Sequence, residues 1–161
     1  MLSYVRGDAT QPVGEGPKFI VHCCNDLGLW GAGFVLAISR RWAEPEEAYY
    51  NWNGGVYSLG DCQIVRVDDD LYVLNMIGQH GVGRRGSSAP PIRYGAIRRA
   101  LQQVAAHAVD PVIRGPYRAA SIHCPRFGAG LAGGDWNKIE QIIQDELVSK
   151  GLSVTIYDYD G

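Results

Sequence analysis

Lys18–Cys24, K-F-I-V-H-C-C, is apolar almost throughout and runs into a turn carrying Gly28, Gly31 and Gly33. A near-continuous apolar strand is buried on both faces, which calls for helices above and below a largely parallel sheet. Beyond the turn, Phe34, Val35, Ile38 and Trp42 fall near helical spacing, so the glycines join a central strand to a helix. Glycines let a backbone approach a ligand closely, and a helix start offers N–H groups and a positive dipole end. A phosphate or diphosphate site and a plain tight connection both fit this stretch taken alone.

The rest of the chain supplies the partners such a strand needs. Leu2–Arg6 reads as a short strand, followed by a Pro/Gly-rich loop over Gln11–Pro17. Pro45 opens a second short helix through Trp52, which Asn53-Gly54-Gly55 stops. Asp61–Val67 and Leu71–Ile77, joined by three aspartates, predict an antiparallel hairpin. Gly78–Pro91 is a long loop rich in Gly, Ser, Arg and Pro, functional or mobile. Ile92–Val109 predicts a helix, Asp110–Arg118 a connection, and Ala119–Cys124 another apolar strand. Asp135 is placed to cap a helix over Trp136–Ser149, Gly151 to end it, and Ser153–Tyr157 reads as the last strand. Alternating strands and helices predict an α/β fold, a mixed, largely parallel sheet with helices on both faces.

The 161 residues fit one domain spanning 1–161, large enough to bury a core. A formal net charge of −2 argues against broad nucleic-acid or membrane-surface binding. No apolar run is long enough to span a bilayer, and Met1–Asp8 lacks the apolar core of a signal peptide, so a cytoplasmic location is expected. Cys23, Cys24, Cys62 and Cys124 show no metal-ligand spacing and read as reduced, buried residues; no metal and no cofactor is called for.

Pro125–Gly134, P-R-F-G-A-G-L-A-G-G, is a second glycine loop directly after a strand. Open α/β sheets bind ligands beyond the carboxyl ends of their strands. If the strands ending at Arg6, Cys24 and Cys124 are parallel neighbours, the two glycine loops clamp a diphosphate by backbone N–H groups. Asp8 is then placed to accept from an exocyclic amine, and Asn25 to hold sugar hydroxyls. No Lys-Ser/Thr follows the glycines, and Gly28-x-x-Gly31-x-Gly33 has the wrong order for a dinucleotide fingerprint.

Together these residues resemble a macrodomain, the ADP-ribose-binding module. The resemblance is carried by Gly7–Thr10, Val21–Asn25, Trp30–Phe34, Asn75–Gln79, Pro91–Tyr94 and Pro125–Trp136, in that order along most of the chain. It is strongest to the branch of the terminal ADP-ribose protein glycohydrolase and the yeast ADP-ribose-1″-phosphate phosphatase. The resemblance implies a three-layer α/β/α fold around a six-stranded mixed sheet. It also implies that Asp8 contacts the adenine amine with the Ala9 amide beside it, and that Asn25 faces the distal ribose. Gly31, Ala32, Gly33 and Phe34 match one diphosphate loop, and Phe127, Gly128, Ala129, Gly130 and Leu131 the other. Trp30, Gln79 and Arg126 flank these segments and complete the expected binding set.

The glycohydrolase branch carries a lysine and an aspartate where this chain has Gln79 and Ala132. Gln79 forms no Schiff-base-like adduct with an opened ribose, so hydrolysis here would use a bound water. Asp26 is either a carboxylate helping that water or a solvated turn residue; Asp135 is either such a carboxylate or a helix cap. His80, Arg84 and Arg85 sit on the long loop, free to fold over the ribose or to stay solvated. His22 and His123 read as hydrogen-bonded core histidines. Phe34 and Phe127 pack either on the ribose or in the core, and Trp30, Trp42, Trp52 and Trp136 read as packing residues. The expected function is binding of ADP-ribose and hydrolysis of mono-ADP-ribose from modified proteins at ester-linked acidic side chains. The alternatives are a phosphatase acting on ADP-ribose 1″-phosphate and a reader without turnover. The expected partners are ADP-ribose and mono-ADP-ribosylated protein.

Overall fold

A computed structural model of the chain describes residues 1–82, 91–130 and 132–159. The strands are β1 (Leu2–Arg6), β2 (Lys18–Asn25), β3 (Cys62–Asp68), β4 (Leu71–Gln79), β5 (Ser121–Cys124) and β6 (Val154–Asp158). The helices are α1 (Phe34–Ser39), α2 (Glu44–Tyr50), α3 (Tyr94–Ala108), α4 (Pro111–Arg114) and α5 (Trp136–Glu146). The six strands form one mixed sheet in the order β1-β6-β5-β2-β4-β3. All neighbours are parallel except the β3–β4 hairpin at one edge.

Strand alternation splits the apolar run of β2 between two cores. Phe19 and Val21 pack with Leu74 and Met76 of β4 beneath Ile97, Leu101 and Val104 of α3 and Ile139 and Ile143 of α5. Ile20 and Cys24 pack with Val73 and Ile77 on the other face, beneath Val35 and Ile38 of α1 and Tyr49 of α2. This is the α/β/α sandwich with a six-stranded mixed sheet that the resemblance implies. Burial on both faces is why β2 carries no polar stripe.

Several boundaries differ from expectation. The helix expected over Phe34–Trp42 ends at Ser39. After α2, Trp52–Gly55 is a 3₁₀ turn in which Asn53 and Gly54 take positive φ of 50° and 65°. The expected connection Asp110–Arg118 contains α4, whose first turn is capped by the Asp110 carboxylate accepting from the Val112 amide. The helix expected from Ile92 begins at Tyr94, because 91–93 run alongside the end of β4. There the His80 amide donates to the Pro91 carbonyl and the Arg93 amide to the Gly78 carbonyl, both at under 3 Å. α5 stops at Glu146, followed by a 3₁₀ turn over Val148–Lys150. Among the described residues no helix is long and apolar enough to cross a membrane.

Candidate functional site

Five strands run parallel, so their carboxyl ends share one edge of the sheet. β2 and β5 are neighbours there, but the chain leaves β2 toward α1 and β5 toward α5. Loops that part in this way open a crevice. The crevice has two lobes. A smaller one of about 190 Å³ lies between the glycine loops that follow β2 and β5. A larger one of about 610 Å³ lies toward β4. Cys23, Ala32, Val35 and Gln79 line both, so the lobes are continuous.

The loop after β2 is built around Asn25. Its side-chain Nδ2 donates to the Leu29 carbonyl at 2.7 Å, and its Oδ1 accepts from the amides of Leu27 at 2.9 Å and Leu29 at 3.2 Å. The Tyr49 hydroxyl donates to the Asn25 carbonyl at 2.6 Å and accepts from the Gly28 amide at 3.1 Å. Trp30 is buried against Tyr49, and its indole N–H donates to Ser39 Oγ at 2.7 Å. Gly33 stands before α1 at φ 82° and ψ −146°, a region open essentially to glycine alone. Among the described residues, and leaving aside each glycine's chain neighbours, added Cβ atoms at Gly31 and Gly130 would meet no atom within 4 Å.

The loop after β5 closes on itself, with the Gly134 amide donating to the Gly128 carbonyl at 2.7 Å. A Cβ on Gly134 would sit 2.5 Å from that oxygen, so the loop needs glycine there. Phe127 is buried edge-on to Trp136. Arg126 pairs with Asp158 at 2.6 Å and lies over the rings of Tyr4 and Trp136. Among the described residues Arg126 is the one charged side chain lining the cleft.

His22 and Gln79 complete the floor. Asn75 Nδ2 donates to the Gln63 side chain and the Pro45 carbonyl, so Asn75 Oδ1 faces His22 Nε2 at 2.5 Å. The imidazole therefore carries its proton on Nε2. Burial pushes its pKa down to about 4, so it is neutral at pH 7. Burial pushes the Cys23 thiol up to about 12, which makes it a poor nucleophile. Gln79 Nε2 donates to the Gly81 carbonyl at 3.0 Å.

The structure brings Asn25, Trp30, Gly31, Ala32, Gly33 and Phe34 together with Gln79, Arg126, Phe127, Gly128 and Gly130 around the two lobes. Ala129 belongs to the second loop without lining either lobe, and Ala132 lines the smaller one. Leu131, Arg84 and Arg85 lie outside the described residues. Asp8 and Ala9 follow β1, across β6 from β5, and line neither lobe. Burial works against the charge of Asp8, but the Thr10 hydroxyl and amide and Arg41 hold its carboxyl below the usual range.

Neither candidate carboxylate lines the cleft. Asp26 is turned toward the end of β4, where Oδ2 lies 2.7 Å from His80 Nδ1 and Oδ1 accepts from the Gly81 amide at 2.7 Å. Asp135 caps α5 by accepting from the Asn137 amide, while its own amide donates to the Tyr94 hydroxyl. His123 is a core histidine between Ser121 and Tyr157. The sequence reading missed Leu29, Tyr50 and Val82, which wall the larger lobe. Leu29 lies inside the glycine turn and Tyr50 ends α2, so no periodicity points either one at the cleft. Among the described residues no group of three or more His, Cys, Asp or Glu is placed to hold a metal ion.

No protein-family model matches the chain. Solved structures do. A macrodomain protein from Streptomyces coelicolor is 48% identical, with 98% of this chain and 99% of that one covered and a TM-score of 0.81. A protein of unknown function from Bacteroides thetaiotaomicron is 48% identical, with 98% of each chain covered and a TM-score of 0.88. Among curated relatives, mouse chromodomain-helicase-DNA-binding protein 1-like is 32% identical over 97% of this chain, but the chain spans only 17% of that protein's length. An ADP-ribose glycohydrolase from Bos taurus is 21% identical, covering 97% of this chain and 90% of that protein.

Proposed function

The chain belongs to the macrodomain family, and on that premise we propose that residues 1–161 act as one ADP-ribose-binding module that removes mono-ADP-ribose from modified proteins. The observation that carries this reading is the order of elements along the carboxyl edge. Going from β1 through β6, β5 and β2 to β4, the edge presents Asp8, then the second glycine loop, then the first, then Gln79. Adenine at Asp8 and Ala9, diphosphate between the loops and distal ribose beside Gln79 follow that order without a crossing. The glycine amides and Arg126 supply donors for the diphosphate. Asn25 acts on the ribose by holding the loop that faces it, since four of its polar contacts are already used within the protein.

Gln79 stands where the two lobes meet, beside the anomeric carbon in this arrangement. Its Nε2 is tied to Gly81, leaving Oε1 to orient a water. Water adds to the anomeric carbon, the bond to the acyl oxygen breaks, the acyl group leaves as carboxylate, and the proton passes to solvent. A carboxylate is a good leaving group, so an oriented water and polar stabilisation supply the rate. Asp26 and Asp135 then serve as positioning residues, Asp26 through the end of β4 and Asp135 through α5 and the loop before it. The four free cysteines suit a reducing compartment such as the cytoplasm.

The lack of a carboxylate among the described lining residues favours a second reading, a reader without turnover. Calorimetry with ADP-ribose tests the shared premise, and no binding up to low millimolar would defeat both. Incubation with a glutamate-ADP-ribosylated protein separates them. Free ADP-ribose released marks the hydrolase, and an unchanged substrate that stays bound marks the reader. Phosphate released only from ADP-ribose 1″-phosphate marks a phosphatase instead.

A further inference from the structure

The larger lobe differs in character from the smaller. Its volume of about 610 Å³ falls in the range that takes a whole drug-sized ligand, more than a ribose fills. No charged side chain lines it among the described residues. Leu29, Tyr50 and Val82 wall it and remain 51%, 47% and 41% exposed, so they serve no core. Solvent-exposed apolar side chains gathered on one concavity mark a binding surface.

The wall is also fixed in place. Leu29 is held through both its amide and its carbonyl by Asn25, and the neighbouring Gly28 amide is held by Tyr49. A leucine displayed on so well-bonded a turn is presented, with little entropy left to lose when something docks on it.

We propose that the larger lobe is an acceptor subsite, which takes apolar side chains flanking the modified residue of a protein substrate. This rests on ADP-ribose lying along the carboxyl edge as described above. The acceptor is joined to the distal ribose, so with the ribose beside Gln79 the attached polypeptide continues into the lobe beyond it. The apolar wall favours a polypeptide acceptor over a nucleic-acid one. Nucleic-acid phosphates call for cations, and the described lining of the lobe is uncharged.

The test uses peptides carrying ADP-ribose on one glutamate through a hydrolysis-resistant linkage, with leucine, aspartate or lysine on either side. Binding is compared with that of free ADP-ribose, for the natural protein and for Leu29→Asp and Tyr50→Ser. Leucine-flanked peptides are expected to bind about tenfold more tightly than aspartate-flanked ones. Each variant should erase that preference while free ADP-ribose affinity stays within about twofold. Equal affinity for all three peptides, with free ADP-ribose bound normally, overturns the subsite alone. So does tighter binding of an ADP-ribosylated oligonucleotide than of the leucine-flanked peptide. Failure of free ADP-ribose to bind at all overturns the underlying reading, and the subsite with it.

Discussion

The Asp26 carboxylate and the His80 imidazole meet at 2.7 Å, joining the loop after β2 to the residue after β4. The second oxygen of the same carboxylate takes the Gly81 amide. Burial works to raise the Asp26 pKa, but the Gly81 amide and His80 outweigh it and hold it below 3.8. A depressed carboxylate stabilises the fold above its unfolded pKa, and that share is lost as pH falls through the folded value. Asp26→Ala should therefore cost roughly 1–3 kcal/mol at pH 7 in urea unfolding, with the gap to the natural protein closing below about pH 4. Asp26→Asn, which keeps an oxygen for Gly81, should cost less.

Acid should also act through the buried histidines, with the opposite ionisation. Burial lowers His22 and His123 from 6.5 to about 4. In the unfolded chain both take up protons first, so stability is full above about pH 6.5 and declines as pH falls toward 4. Each contributes at most about 3 kcal/mol to that loss. The urea midpoint should fall between pH 7 and pH 5. Asn75→Ala, which strands His22 Nε2–H in the core, should lower it at pH 7 as well.

Gly31→Ala and Gly130→Ala separate fold from ligand. Neither glycine has a positive φ, and neither added Cβ would crowd a described residue beyond its chain neighbours. Stability should change by no more than about 0.5 kcal/mol, while ADP-ribose affinity falls about tenfold because each methyl group intrudes on the cleft the ligand is proposed to fill. Gly134→Ala should disturb both, since its Cβ would strike the Gly128 carbonyl. Calorimetry and thermal unfolding on the same samples decide the point.

Gln79→Ala should leave ADP-ribose affinity within about twofold and lower kcat by about 10²-fold, the range of a lost water-positioning group. Single-turnover release of ADP-ribose from a modified protein measures it. Equal losses in affinity and rate would make Gln79 a binding residue only.

Much of this was legible in the chain. The unbroken apolar run of β2 forces a sheet covered on both faces, and two glycine loops after separate strands locate the cleft. The signal was blind to direction, however. Asp26 looks like a carboxylate beside the ribose-facing Asn25, yet it turns to His80, because the strand end next to it leaves an amide and an imidazole unpaired. Asn25 looks like a ligand contact, but the turn it heads has carbonyls and amides to satisfy. Leu29, Tyr50 and Val82 come from three separate segments, and only the folded sheet sets them around one cavity.

The place of β6 between β5 and β1 has a consequence for how the chain is made. Among the described residues β1 pairs with β6 alone, Leu2 against Val154. Of these six strands, the first to leave the ribosome therefore waits for β6 before it has a neighbour in the sheet, while β2 to β5 already have theirs. Asp8 rides on that late strand. With the base at Asp8 as proposed, its recognition is the last part of the site to be assembled, and a nascent chain would hold both glycine loops well before it.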